Sequence, residues 1–530
     1  MSIQHSYKTS SAFSLILLFI ITSVTTTAAQ ARQVQAPAQG DTLSMSLDEA
    51  LEIALINSYL LRKGLLDIDE AGAQVREAWG NVYPQVNATA NYTRNIKSPN
   101  PFAGSSAGEF FQSFGAIGWL AYNERARTDG DPATTPITFD EFLDRQQEGY
   151  EQAGITPPGM DSNPFAIDNQ FQGFINVTQA LYNGTAFAAI RGAEQFKKLT
   201  DDQRVRDRQI VTNEVKNAYY RALMAQEQTD VLRRSIERTR KTVADAARTV
   251  AEGVTPKFQR LNAEVELANL ETNFIEARNQ AALALKNLNL ILGIPVDTSI
   301  RLSDTMTVDR SDIAPFMTTE EAYELAKRQR PDLQQLEGLI RLNEVQKELT
   351  RSTYFPVVNA FASYGYLGNV PDNRTIVSQV NGQSFNYTSR DLGFFDSAYW
   401  DPTFAVGVQL NWNLFNGFQT RSRVQQNQIA IKKSQIDLEM AMQGVYLEVD
   451  QAVRNVQTAW ERINSQERNI ERAELNYEYA VTRLREGVGT AIEERQANLL
   501  LDQTRLTYLA AVFDYLTAVS RLETAIGKPI

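Results

Sequence analysis

The 530-residue chain has no cysteine, a single histidine and only one long apolar run, and each shortage removes a class of function. Without cysteine there are no disulfides, thiolate metal sites, thiol nucleophiles or amino-terminal lipid attachments through Cys. The lone histidine, His5, lies in a segment expected to be removed, so the commonest metal and general-base chemistry goes with it. No catalytic residue, metal or cofactor is expected. Positive charge is also short: 52 basic residues face 63 acidic ones, and a net −11 argues against nucleic acid as a partner. With 22% charged residues and a mean hydropathy of −0.34, the chain is too polar for a bundle of lipid-facing helices.

The apolar run is Ala12 to Val24, preceded by Lys8 and followed by Ala29 and Ala31 in A-x-A spacing. Thirteen residues fall short of the roughly 20 that a spanning helix needs, so 1–31 reads as a cleaved export signal.

What the sequence does have is an internal repeat. Ala50, Ala54, Tyr83-Pro84 and Asn87-Ala88 recur 272 residues later as Ala322, Ala326, Phe355-Pro356 and Asn359-Ala360. Leu181-Tyr182-Asn183-Gly184 recurs as Leu414-Phe415-Asn416-Gly417, and Glu252-Gly253-Val254 as Glu486-Gly487-Val488. The expected layout is a first repeat over 32–295, a linker over 296–317 and a second repeat over 318–530.

Each repeat carries a long helical hairpin, expected at 184–292 and 418–526. Apolar positions step by 4 and 3 through Val215, Ala218, Ala222, Ala225 and onward, and again through Val449, Ala452, Val456 and Ala459. No proline interrupts 184–255 or 403–528. The seams are rich in Ala and Thr, which suits shallow packing around a wide cylinder better than a leucine-filled rod. The hairpin turns are well marked. Gly253 ends one helix, with Thr255 as a cap and Pro256 at the first position of the next. Gly487 and Gly489 precede Thr490, with Glu493 placed for a capping box.

Four segments alternate with period 2 and are expected as strands at about 85–96, 170–181, 357–366 and 403–414. In the last, Phe404, Val406, Val408, Leu410 and Trp412 share one face while Gln409, Asn411 and Asn413 share the other. An apolar face and a polar face on an exported chain fit a transmembrane barrel with a wet lumen. Four strands cannot close around a pore, so several copies must contribute. The connections 97–169 and 368–402 read as irregular exposed loops, the first with 11 acidic and 4 basic residues.

In this order of elements the chain resembles the TolC-type outer-membrane efflux protein family. The paired Tyr83-Pro84 and Phe355-Pro356 entries, the Leu181 to Gly184 and Leu414 to Gly417 exits, and the tip pattern from Gly253-Val254 to Phe258, Leu261 and Ala263-Glu264 carry the resemblance. It implies a mainly α chain with a β-barrel part, a homotrimer with four strands per copy in outer-membrane lipid, and a helical tunnel in the periplasm. It further implies that Gly253, Val254, Thr255 and Pro256, with Gly487, Val488, Gly489 and Thr490, meet a periplasmic adaptor (membrane fusion) protein of an inner-membrane pump. Glu493 and Glu494 become candidates for the pore constriction, with Gln496 where a second family acid is expected. The expected function is a passive exit duct for efflux or type I secretion. The alternative is a periplasmic coiled-coil scaffold without a pore, and strand alternation is the feature that separates the two.

Overall fold

A computed structural model describes residues 43–97, 114–132, 134–155, 167–308 and 317–528. The expected signal peptide 1–31 lies outside the described residues, as do 309–316 of the linker. The described residues divide into two units. The first comprises 43–69, 200–336 and 437–528, and the second 70–199 and 337–436.

The first unit holds most of the helical hairpins. Helices α5 (Gly184–Ala251) and α9 (Gln419–Arg485) enter it and turn back as α6 (Lys257–Leu292) and α10 (Ala491–Ile526). The two repeats differ here by a single residue in the long helix. The Ala-rich seams are the core: Val215, Ala218 and Ala222 of α5 are buried, as are Val449, Ala452, Val456 and Ala459 of α9 and Ala511, Tyr515, Ala518 and Leu522 of α10.

Two short helices dock on this core, α1 (Leu47–Asn57) against α6 and α7 (Thr319–Gln329) against α10. Their starts are equivalent capping boxes, Ser46 with Glu49 and Thr318 with Glu321. The repeated alanines Ala50, Ala54, Ala322 and Ala326 are fully buried, so a larger side chain at any of them would push the helix off its partner. Gly293 and Gly527 end α6 and α10 at φ +74° and +85°. A Cβ there would lie 2.3 Å from the Asn57 carbonyl oxygen and 2.9 Å from Gln329, so both repeats need glycine for the turn and for the close approach.

The linker is more than a joiner. Its strand β4 (Ile300–Leu302) pairs in parallel with β1 (Leu43–Met45). Asp304 then accepts from the Tyr219 hydroxyl at 2.8 Å and from the Leu47 amide at 3.0 Å. Burial and the neighbouring Asp304 carboxylate push the Tyr219 phenol up, so it stays a hydrogen-bond donor.

The second unit contains a four-stranded antiparallel sheet in the order β2 (Gln85–Arg94), β3 (Asn169–Tyr182), β5 (Val357–Val370), β8 (Trp400–Asn411). It also holds the second half of α2 (Tyr59–Gly80) and most of α8 (Pro331–Ser352), which lead into β2 and β5. The strand expected at 403–414 is shifted to 400–411, and the one at 357–366 runs on to 370, because cross-strand pairing continues past the alternating stretch. Pro402 sits in β8, an edge strand, where a missing amide hydrogen is tolerated.

The connections are not simply irregular, which corrects the sequence expectation. Between β2 and β3 lie helices α3 (Phe114–Thr128) and α4 (Phe139–Gln152). Between β5 and β8 lies a hairpin of β6 (Thr375–Gln379) and β7 (Tyr387–Asp391). The α4 stretch carries Phe139, Phe142, Leu143 and Tyr150 at helical spacing behind the Thr138 cap, a local signal that the loop reading overlooked.

Candidate channel surfaces

The sheet is the first functional surface. Its register places Val86, Ala88, Ala90 and Tyr92 of β2 across from Val177, Ile175, Gly173 and Phe171 of β3. The same face continues through Ala362, Tyr364 and Tyr366 of β5 to Val406, Phe404 and Pro402 of β8. One apolar face therefore crosses all four strands. Phe404, Val406, Val408 and Leu410 are all at least 59% exposed in the single chain. Trp412, expected within the strand, lies one residue beyond it and donates its indole N–H to the Tyr354 carbonyl at 3.0 Å.

Aromatic side chains gather at both ends of this face. Phe171, Phe394 and Trp400 cluster at one end, their ring centroids 5.2 to 5.8 Å apart. Trp412, Phe415 and Phe418 stand exposed at the other. From Trp400 to Trp412 is twelve residues. At about 3.3 Å each and a tilt of about 40°, that spans roughly 30 Å of height, close to the apolar band of an outer-membrane barrel.

The opposite face is polar but not uniformly so. Asn87, Asn176 and Ser363 share it, and Ser363 donates to Asn176 at 2.7 Å. Phe174 and Phe361 also project here. A Cβ on Gly365 would come 2.5 Å from the Phe174 ring, and one on Gly407 would come 2.8 Å from Phe361. Each ring lies over a cross-strand glycine, an arrangement that period-2 reading of single strands misses because it depends on register.

The hairpin turns form the second surface. Gly253 and Gly487 leave α5 and α9 at φ +74° and +73°. Val254 and Val488 follow, 72% and 69% exposed, with their amides bonded back to the Thr249 and Arg483 carbonyls. The turns then differ. Thr490 is the N-cap of α10, in a complete capping box with Glu493. Thr255 is not a cap, contrary to expectation. Pro256 occupies that position without a side-chain bond, and the Thr255 hydroxyl pairs with Thr249 at 2.8 Å.

The two candidate constriction residues have different surroundings. The Glu493 side chain is 46% exposed and lies 3.8 Å from Arg483. Glu494 is only 5% exposed, tucked against Thr242 of α5 at 3.5 Å. Burial, followed by the Glu266 carboxylate, pushes the Glu494 carboxyl above its ordinary range. Above it α5 and α10 are joined by a buried polar ladder: Arg238 reaches Asn498 at 2.7 Å and pairs with Asp502, which also accepts from Ser235. Heptad reading found the apolar seam of α5 but not this polar stretch within it.

The model of the family described as outer membrane efflux protein matches residues 144–294 and 322–528, more than half of the chain and one segment in each repeat. The chain belongs to the outer membrane efflux protein family. Members of that family are transport channels, and this efflux protein is an outer-membrane exit duct with its helical part in the periplasm. It is 22% identical over 369 residues to the alkaline protease secretion protein AprF of Pseudomonas aeruginosa, covering 68% of this chain and 71% of AprF. With the outer membrane protein TolC of Vibrio cholerae it shares 24% identity over 372 residues, 67% of this chain and 76% of TolC. The crystal structure of the outer membrane protein VceC from Vibrio cholerae superposes with a TM-score of 0.63 at 16% identity, covering 91% of this chain and 96% of VceC. That likeness carries the fold: duplicated helical hairpins joined to a four-stranded sheet.

Proposed function

We propose that three copies of the chain close a twelve-stranded barrel in the outer membrane. Their hairpins continue it as a periplasmic tunnel that passively conducts cargo from a pump, without catalysing a reaction. The observation that carries this reading is the sheet, with one apolar face crossing four strands and two open edges. Edge strand β8 has 12 residues, so about half its backbone groups lack a partner in the single chain. In hydrocarbon each would cost several kcal/mol, and ring closure removes that cost. The strands alternate in direction, so β8 of one copy meets β2 of the next antiparallel, as an outer-membrane barrel requires.

The helices support the same assembly. On α6, Phe258, Leu261, Val265, Ile275 and Leu283 are exposed along one seam, and on α9 Ile436, Met440 and Leu447 form another. Apolar stripes of this length mark contacts between copies. The turns Gly253 to Pro256 and Gly487 to Thr490 dock on a periplasmic adaptor of an efflux or type I secretion system, and Val254 and Val488 supply their apolar contacts. Glu493 and Glu494 mark the narrow end. Phe404, Val406, Val408, Leu410 and Trp412 face lipid. A periplasmic scaffold would have no use for this banded apolar face. Light scattering of the detergent-solubilised protein tests the assembly. The expected protein mass is that of three copies, and a stable monomer in buffer without detergent would refute it.

A further inference from the structure

The connections at the far end of the sheet, opposite the strand ends that lead into helices, form a folded cap. Tyr122, Ile137 and Phe142 of the first repeat make a small buried core. Into it goes Phe385, from the β6–β7 hairpin of the second repeat, with ring centroids 5.1 Å from Tyr122 and 5.3 Å from Phe142. Phe385 holds φ +72°, a conformation costly for a bulky residue, and its carbonyl presses on Gly149, where a Cβ would sit 2.2 Å away. Backbone strain at an inserted ring marks a latch that its surroundings hold in place. The Arg125 guanidinium donates to the Gly382 carbonyl at 2.8 Å, and at the base Arg94 grips Asp372 through two bonds of 2.8 and 3.0 Å.

Resting on the barrel reading above, we infer that the cap is a size-selective screen over the outer mouth of the duct, latched by Phe385. Charge decides where it lies. Residues 114–155 carry eight acidic and three basic side chains. Such a surface is repelled by the phosphate-bearing outer leaflet and sits over the aqueous exit. Solutes small enough to pass around the latched cap enter freely, whereas bulky ones wait for it to open.

The absence of cysteine makes the test clean, because an engineered thiol on the polar sheet face is the only one present. Asn87→Cys, in cells, is labelled from outside with a small maleimide and with a bulky polyethylene-glycol maleimide. Phe385→Gly removes the ring and relieves the positive φ, so the hairpin itself folds without strain. Replacing 114–152 by a Gly-Ser link removes the helical half of the cap and serves as a second variant. Both changes should speed the bulky reagent by about tenfold or more while leaving the small one unchanged, since labelling follows the open population. Bulky labelling of the parent as fast as of both variants would overturn the screen, as would slow labelling of both. An Asn87→Cys that resists even the small reagent in the capless variant would instead mean that this face lines no lumen, and would remove the barrel reading itself.

Discussion

Replacing Glu494 by Gln should stabilise the tip of the second hairpin at neutral pH and have no effect in acid. The carboxylate is 5% exposed, and its Oε2 has no hydrogen-bond partner among the described residues. Its one bond, from Thr242, is long at 3.5 Å. The nearby guanidiniums are directed elsewhere, Arg238 to Asn498 and Asp502 and Arg495 toward Glu266. Because the folded-state pKa is raised, the native protein binds more protons than the unfolded chain between the ordinary value of 4.5 and the raised value. Stability therefore falls as pH rises through that window and stays low above it. A neutral amide of nearly the same size removes the charge and adds a donor to this buried, poorly hydrogen-bonded spot. Relief of one poorly solvated buried group is worth about 1–2 kcal/mol. That corresponds to roughly fivefold to thirtyfold slower amide exchange in the first turns of α10. Exchange measured by mass spectrometry at neutral pH and below pH 4.5 checks this. Equal or faster exchange in Glu494→Gln at neutral pH would refute the reasoning.

Three further outcomes are expected. Intact mass of the exported protein should begin at Arg32, and a mature chain retaining Met1 to Ala31 would undo the signal-peptide reading. Val254→Asp with Val488→Asp should abolish efflux while leaving the amount of assembled protein unchanged, as judged by semi-native gels, since both side chains are exposed at the turns; unaltered efflux would remove the docking role. In planar bilayers, Glu493→Gln with Glu494→Gln should weaken cation preference and divalent block, since the pair removes up to six charges from three copies. Most of that effect should persist in Glu493→Gln alone, because Glu493 is the solvated member. Unchanged selectivity would make Glu493 a helix cap only.

Features set by neighbours in sequence were legible, and those set by neighbours in space were not. The Thr490–Glu493 capping box spans three residues and is read directly from their types. Strand alternation from Phe404 to Leu410 is equally local, and so is the Ala-rich seam of α5. Burial of Glu494, by contrast, depends on Thr242 and Glu266 arriving from other helices, and nothing in Glu493-Glu494 tells which of the two turns inward. Thr255 is as good a capping residue as Thr490, but Thr249 six residues earlier captures its hydroxyl. Asp304 gave no signal in the linker because its partners, Tyr219 and the Leu47 amide, are 85 and 257 residues away. The core of the cap was hidden for the same reason: it needs Phe385 from the other repeat.

A cysteine scan along β8 in the outer membrane tests the central claim most directly. Thiols at 404, 406, 408 and 410 should resist a membrane-impermeant maleimide, whereas those at 405, 409 and 411 should react, giving a period of two along the strand; 407 is left out because the Phe361 ring covers it. Uniform reactivity on both faces would mean that this sheet stands in water, and the chain would then not be a duct through the membrane.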